Sequence, residues 1–333
     1  MIHVAINGFG RIGRCFLRNA AKFSNIKVVA INDLADVDTL AHLYKWDSVH
    51  GPANQTVSTS EGNLLINEKK IEVFREKDPN KLPWSRLRVD YVIEATGVFK
   101  NRQQTEGHLK SGAKHVVISA PPSEEKIPTV VLGVNESILS KNDLVFSNAS
   151  CTTNSAAPLI KVIDELCEIN GGYITTVHSY TGDQRLHDAP HKDLRRARAA
   201  AQSIVPTTTG AAKAITKIFP QLEGNFGGCG IRVPVPDGSL TDITCSVKNP
   251  KTVEEINQAF KIASEGSLKG ILEYQPDPIV SIDIVNNTHS CIFDVQLTSV
   301  IGNLVKVVGW YDNEWGYVNR LLDLLQFHAA LKH

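Results

Sequence analysis

None of the six cysteines forms a CxxC pair, and no cysteine or histidine spacing suits a metal. That argues against a zinc ribbon or a thioredoxin-type centre. In a chain of 333 residues such scattered thiols are expected to stay reduced. Neither sign of charge is in excess, with Lys+Arg and Asp+Glu at 35 each. No charge block makes nucleic acid or an acidic membrane a primary partner. The basic run Lys192–Arg198 reads as solvated or subunit-interface salt bridges, Arg195 and Arg198 above all. No apolar run approaches the ~18 residues of a membrane span. The start, Met1-Ile2-His3-Val4-Ala5-Ile6, lacks the basic and apolar regions of a secretory signal. Internal repeats and low-complexity segments are also missing. The expectation is a cytoplasmic protein with no metal.

What is present begins with a βαβ pattern. Residues 2–6 read as a strand, 11–22 as a helix and 26–31 as a second strand. Short apolar runs at 91–94, 115–118, 129–132 and 144–146 predict further strands covered on both faces. The first half reads as a Rossmann doubly wound parallel sheet, in the α/β class. After residue 149 the texture changes to longer alternating runs at 241–247, 279–285, 291–299 and 304–310. These predict an α+β catalytic domain with a mostly antiparallel sheet. Helices are predicted over 152–168, 209–218, 252–265 and 315–331.

Gly8-Phe9-Gly10-Arg11-Ile12-Gly13 lies between the first strand and helix. Gly8 permits the turn, Gly10 lets backbone approach a pyrophosphate, and Gly13 lets the helix pack closely. Amides around Arg11 and Ile12 face the pyrophosphate at a helix start. Asp33 follows at the spacing of a carboxylate that binds adenosine ribose hydroxyls. Its charge opposes a 2′-phosphate, so NAD is expected over NADP.

Cys151 sits among Ser150, Thr152, Thr153 and Asn154 at a predicted helix start, where the dipole lowers a thiol pKa. His178 ends a strand pattern, and a thiolate–imidazolium pair is the expectation. Pro158 argues for irregular first turns. Pro206 to Ala212 places hydroxyls and amides at another helix start, and Arg232 in Ile-Arg-Val-Pro-Val-Pro suits a phosphate.

Together these runs resemble phosphorylating glyceraldehyde-3-phosphate dehydrogenases, essentially end to end. The resemblance is carried by residues 7–14, 31–34, 94–97, 147–154, 191–198, 209–214 and 310–314, with Ser-Cys-Thr-Thr-Asn (150–154) the most specific. It implies oxidation of D-glyceraldehyde 3-phosphate to 1,3-bisphosphoglycerate with NAD, in glycolysis and gluconeogenesis. Cys151 is implied as nucleophile and His178 as its activator. NAD contacts are implied for Arg11, Ile12, Asp33, Ser119 and Asn313, with Lys77 near the adenine. Ser150, Thr152, Thr209 and Gly210 are implied for inorganic phosphate, and Thr181, Arg196 and Arg232 for the substrate phosphate and its surroundings. A homotetramer is implied, with residues 180–203 at an interface. The implied domains are 1–149 with a returning C-terminal helix (314–333), and 150–313. Departures from the family pattern are Ser155 for a second cysteine, Lys77 for arginine, and Ala189 for leucine, the last bearing on NADP exclusion.

Erythrose-4-phosphate dehydrogenase is the nearest alternative, sharing Asp-Asn-Glu-Trp-Gly (312–316) but usually lacking the Thr181 and Thr209-Gly210 features. A non-enzymatic thiol sensor is the alternative of another class. An inactive relative should have lost Cys151, His178 or Arg232, and all three are present.

Overall fold

The structure, a computed structural model, describes residues 1–331. Its contacts divide the chain into two units. The first holds residues 1–130, 136–149 and the chain from Val318 onward; the second holds 131–135 and 150–317. Relative to a division at 149/150 and 313/314, two segments change sides: 131–135 and 314–317.

In the first unit the elements are β1 (Ile2–Asn7), α1 (Arg11–Ala20), β2 (Ile26–Asn32), α2 (Val37–Lys45), β3 (Val57–Ser60), β4 (Asn63–Ile66), β5 (Lys69–Phe74), α3 (Trp84–Leu87), β6 (Tyr91–Glu94), α4 (Arg102–Lys110), β7 (His115–Ile118) and β8 (Val145–Ser147). The sheet order is β3-β4-β5-β2-β1-β6-β7-β8. It is parallel from β5 to β8 and antiparallel at the β3–β4–β5 end. Strands β6 and β8 are buried at every residue, as strands with both faces covered must be. Ala5, Trp84, Val92, Val116 and Ile127 form part of the core beneath them.

The run 129–132 is not a strand. Thr129 makes one bridge to Ser147. Val131 N then donates to Asn135 Oδ1 (2.7 Å), and Val134 and Asn135 donate back to Val131 O. A turn takes the backbone groups a ladder would have used.

In the second unit the elements are α5 (Cys151–Cys167), β9 (Ile169–Ser179), β10 (Val205–Thr207), α6 (Ala211–Ile218), β11 (Phe226–Val233), β12 (Ser239–Val247), α7 (Val253–Glu265), β13 (Leu272–Gln275), β14 (Cys291–Asp294), β15 (Ser299–Ile301), β16 (Leu304–Tyr311) and α8 (Trp315–Ala330). From Val318 onward α8 belongs to the first unit; of the helix expected over 314–333, residues 332 and 333 lie outside the described residues. The sheet order is β10-β11-β9-β12-β16-β14-β13, mostly antiparallel, with β9–β11 and β13–β14 parallel. In β12 residues 239, 241, 243, 245 and 247 are buried, and the alternate residues face outward. Helix α5 covers the buried face, packed on β12, β14 and β16.

Two strand expectations fail here for one reason. Residues 279–285 alternate like a strand, yet Ser281–Ile284 is a 3-10 turn, because Asp283 Oδ2 accepts Val280 N (2.8 Å). The strand expected over 291–299 stops at Asp294, whose Oδ1 accepts Gln296 N (3.1 Å) and opens another such turn. An aspartate side chain outcompetes the ladder in both places.

Candidate functional site

The thiol centre lies in the second unit. Ala149 has φ +55°, and Ser150 is the N-cap of α5, its Oγ accepting from Thr153 N (3.1 Å). Cys151 is therefore the first helical residue, and α5 runs through Pro158 to Cys167 without a break. His178 stands near the end of β9, and the parallel β11 register places Arg232 directly beside it. Cys151 Sγ and His178 Nε2 are 3.4 Å apart.

The shifts at this pair run against the expected thiolate–imidazolium form. Burial pushes the Cys151 thiol up, against opposing pulls from Arg232 and the Thr152 N–H. Burial, then the Arg232 charge, push His178 down to about 3. Both shifts favour the neutral forms, thiol facing imidazole: desolvation of the two groups works against the helix-start field. The other ring nitrogen is contested. His178 Nδ1 is 2.8 Å from Ser179 O and 2.7 Å from Arg232 Nη1, which also donates to Ser179 O (3.0 Å). Nδ1 can accept from Arg232 with the proton on Nε2, or donate to Ser179 O with Nε2 bare. Only the second leaves Nε2 basic toward the thiol.

The remaining anion-site candidates of this unit are placed as follows. Thr152 is buried, and its hydroxyl is 2.9 Å from Tyr311 Oη. Thr209 and Gly210 precede α6; Thr209 Oγ1 accepts Ala211 N (3.2 Å), and Gly210 is exposed. Arg196 donates to Asp183 (2.5 Å) and to Thr207 Oγ1 (3.0 Å), so it is held within its own loop. Thr181 N donates to Gln184 Oε1 (3.4 Å). Arg198 pairs with Asp188 (2.9 Å) on the surface. Asn313 is buried, with Oδ1 accepting from Ser179 Oγ (2.9 Å) and Ser239 Oγ (2.7 Å). Those two hydroxyls fix the amide so that its N–H groups point away from them.

In the first unit the glycine loop shows three separate requirements. Gly8 has φ +93°, and a Cβ there would meet Thr96 N at 2.7 Å. A Cβ on Gly13 would meet Gly8 O at 2.3 Å. At Gly10, the N-cap of α1, no atom lies within 4 Å of where a Cβ would be. That open space above the helix start is what a pyrophosphate needs. Beside it is a cleft of about 480 Å³ lined by Gly8, Gly10, Asp33, Lys77, Thr96 and neighbours. Asp33 accepts Phe9 N (2.7 Å) and Ala35 N (3.0 Å), which seats its carboxylate at the cleft wall. Ser119 donates N–H (3.0 Å) and Oγ (2.8 Å) to Glu94 O. Arg11 donates to buried Asp47 (2.5 Å), so its side chain anchors the loop while the amides near it stay at the helix start. Donors, open space and acid fit a dinucleotide.

Residues 150–313 match the family described as "Glyceraldehyde 3-phosphate dehydrogenase, C-terminal domain", and residues 2–102 match its NAD binding domain. The chain belongs to the glyceraldehyde-3-phosphate dehydrogenase family. Similar proteins carrying that enzyme name come from Thermotoga maritima (56% identical over 329 residues, 98% of each chain) and Mycobacterium avium (54% over 331 residues, 97% of each). One from Geobacillus stearothermophilus is 52% identical over 331 residues, covering 99% of this chain and 98% of its own. Among the described residues no helix is long and apolar enough to cross a membrane.

Sequence reasoning passed over several residues that build these sites in this family member. Tyr311 Oη bridges Thr152 Oγ1 and Thr176 Oγ1 (2.9 and 2.8 Å), pinning the start of α5 to β9. Ser179 and Ser239 orient Asn313. Asp47, held near pKa 2 by Arg11 and two backbone N–H groups against the cost of burial, fixes the glycine loop. Each acts through contacts far apart in sequence, so local spacing carried no signal for it.

Proposed function

We propose that this protein is an NAD-dependent, phosphorylating glyceraldehyde-3-phosphate dehydrogenase of glycolysis, working through a cysteine thioester. The observation that carries this reading is Cys151 Sγ, at a helix start, 3.4 Å from His178 Nε2, with Arg232 Nη1 2.7 Å from the far ring nitrogen. A nucleophile, a proton carrier and an anion anchor thus share one centre.

Cys151 Sγ adds to the aldehyde carbon, and the thiol proton reaches the former carbonyl oxygen by way of His178 Nε2. His178 then takes that hydroxyl proton back as the thiohemiacetal becomes a thioester. NAD held at the Gly8–Gly13 loop and Asp33 would supply the hydride acceptor for that oxidation. Inorganic phosphate attacks the thioester carbon, the acyl phosphate departs, and the released thiolate regains its proton from His178. Backbone N–H groups at the α5 start stabilise the oxyanion.

Arg232 is assigned the substrate phosphate. Phosphate drawing on its N–H groups offsets the charge that, after burial, depresses His178, and favours the Nδ1–H tautomer bonded to Ser179 O, which leaves Nε2 basic toward the thiol. Thr181 and Arg196 are assigned the surroundings of the same phosphate. Ser150, Thr152, Thr209 and Gly210 are assigned the attacking phosphate; the Thr152 hydroxyl is engaged by Tyr311, so its backbone N–H is the donor to expect. Gly8, Gly10, Gly13, Arg11, Ile12, Asp33, Lys77 and Ser119 are assigned to NAD, and Asn313 to the nicotinamide carboxamide.

The assembly we propose is a cytoplasmic homotetramer. Supporting it, the outward face of the second sheet leaves Tyr173 50% exposed, and the 180–203 loop leaves Leu186 and Leu194 71% and 81% exposed. Sedimentation at micromolar concentration tests this: a tetramer is expected, and a stable monomer contradicts it. Replacing Cys151 by Ser tests the chemistry: turnover is abolished and NAD affinity kept. Retained turnover sinks the thioester route.

A further inference from the structure

Three strands of the first sheet end in buried polar side chains: Asn7 on β1, Asn32 on β2 and Glu94 on β6, each no more than 5% exposed. Buried polar groups demand partners. Asn7 Nδ2 donates to Glu94 Oε2 (2.6 Å), and Asn32 Nδ2 donates to Asn7 Oδ1 (2.7 Å). Asn32 Oδ1 accepts Glu76 N (2.9 Å). Glu94 Oε1 accepts both Thr96 N (2.9 Å) and Thr96 Oγ1. Behind it, fully buried His108 has Nε2 3.3 Å from Glu94 Oε2, while its Nδ1 accepts the Trp84 indole N–H (3.0 Å).

The chain has a fixed direction. The indole can only donate, so His108 carries its proton on Nε2, aimed at Glu94. Glu94 can only accept when ionised, so Asn7 turns its NH₂ toward Glu94 and its oxygen toward Asn32. Asn32 must then turn its oxygen to Glu76 N. One carboxylate collects four donors, and through the two asparagines it sets three walls of the adjoining cleft: Gly8, Glu76–Lys77 and Ala95–Thr96.

We propose that Glu94 is a positioning residue for NAD. It holds the adenosine side of the cofactor cleft in its binding shape before the cofactor arrives, without itself forming the cleft lining. This rests on the reading of that cleft as the cofactor site. Preorganisation of this kind shows in affinity, since a wall that must be reordered on binding subtracts from it.

The test is calorimetric titration of the full-length protein with NAD and with AMP, for wild type, Glu94→Gln and the double variant E94Q/N7D. In E94Q an amide NH₂ faces the donors of Asn7 and His108. One buried unpaired donor corresponds to an affinity loss of roughly 10- to 100-fold, expected for AMP and NAD alike. KM for NAD rises in step, and KM for the aldehyde does not. In the double variant the amide introduced at position 94 donates to the carboxylate introduced at position 7. That carboxylate also lies within reach of His108 Nε2, since the Asn7 Nδ2 it replaces is 3.3 Å from that nitrogen. Polarity is restored, and AMP affinity recovers to within a few-fold of wild type. Unchanged AMP affinity in E94Q, or no recovery in the double variant, overturns the proposal. If E94Q does not fold, H108L withdraws one donor from Glu94, and the acceptor of the Trp84 indole N–H with it, without entering the cleft; AMP affinity is then expected to fall several-fold, and an unchanged value overturns it. Wild-type protein that binds neither NAD nor AMP contradicts the cofactor reading itself.

Discussion

At the residue scale the account turns on three side chains whose properties are set by one another. Cys151 and His178 are both desolvated, and Arg232 acts on both. Its positive charge favours the thiolate and disfavours the imidazolium, so removing it should move both groups upward. We therefore expect Arg232→Gln to shift the pH midpoint for alkylation of Cys151 by iodoacetamide to higher pH. KM for glyceraldehyde 3-phosphate should rise at least roughly tenfold, the scale of losing a charge-assisted bond. Unphosphorylated glyceraldehyde should be affected far less. A downward shift of the alkylation midpoint contradicts the assignment. His178→Asn should lower kcat roughly 10²- to 10⁴-fold, the usual weight of a positioned proton carrier, with NAD affinity intact by calorimetry. A loss below tenfold removes His178 from the mechanism.

At the element scale, local sequence governs where helices begin. Thr252 caps α7 through a reciprocal box with Glu255, Thr252 Oγ1 accepting Glu255 N (3.2 Å) and Glu255 Oε2 accepting Thr252 N (2.8 Å). Thr252→Ala should cost about 1 kcal/mol in urea unfolding, with catalysis unchanged; no loss of stability refutes the capping argument. The same locality explains what could be read in advance. The Gly8–Gly13 loop, Asp33 and the Ser150–Cys151 helix start show themselves in residue type and spacing, so the motif and the structure agree there, although Thr96 crowds Gly8 and Phe9 N seats Asp33. The run 279–285 misled because Asp283 turned back on its own backbone. Strands β3 to β5 and helices α2 and α4 were not anticipated: each is only four to nine residues long, too short for a clear hydrophobic period to show. In the site, the pairing of His178 with Arg232 was invisible because a parallel register sets it. The shift of the Cys151–His178 pair toward its neutral forms escaped for a different reason: burial depth is a property of the packed unit, not of spacing.

At the scale of the whole molecule, buried titratable groups set the pH range of stability. His178 and His328 are pushed down to about 3 and about 4 by burial, and His115 is lowered too. Unfolding returns them to near 6.5, where the unfolded chain binds more protons, so stability is present above pH 6.5 and falls as pH drops from there toward 4. Asp237 has the opposite sign. Burial beside Asp312 raises it to about 9, so the folded protein holds an extra proton above pH 3.8, and stability declines as pH rises toward 9. Below about pH 6.5 the three imidazoles outnumber Asp237, and above it Asp237 acts alone among them. We expect a maximum of thermal stability near roughly pH 6 to 7, and Asp237→Asn should flatten the alkaline limb. A D237N profile parallel to wild type between about pH 7 and the Asp237 value of about 9 contradicts that origin. The central claim is that one chain couples aldehyde oxidation to phosphate capture through Cys151, and initial-rate NADH formation tests it most directly. With glyceraldehyde 3-phosphate, NAD and inorganic phosphate we predict rapid turnover that collapses when phosphate is omitted and exceeds that with NADP or with erythrose 4-phosphate. Turnover indifferent to phosphate, or faster with the four-carbon sugar, contradicts the account.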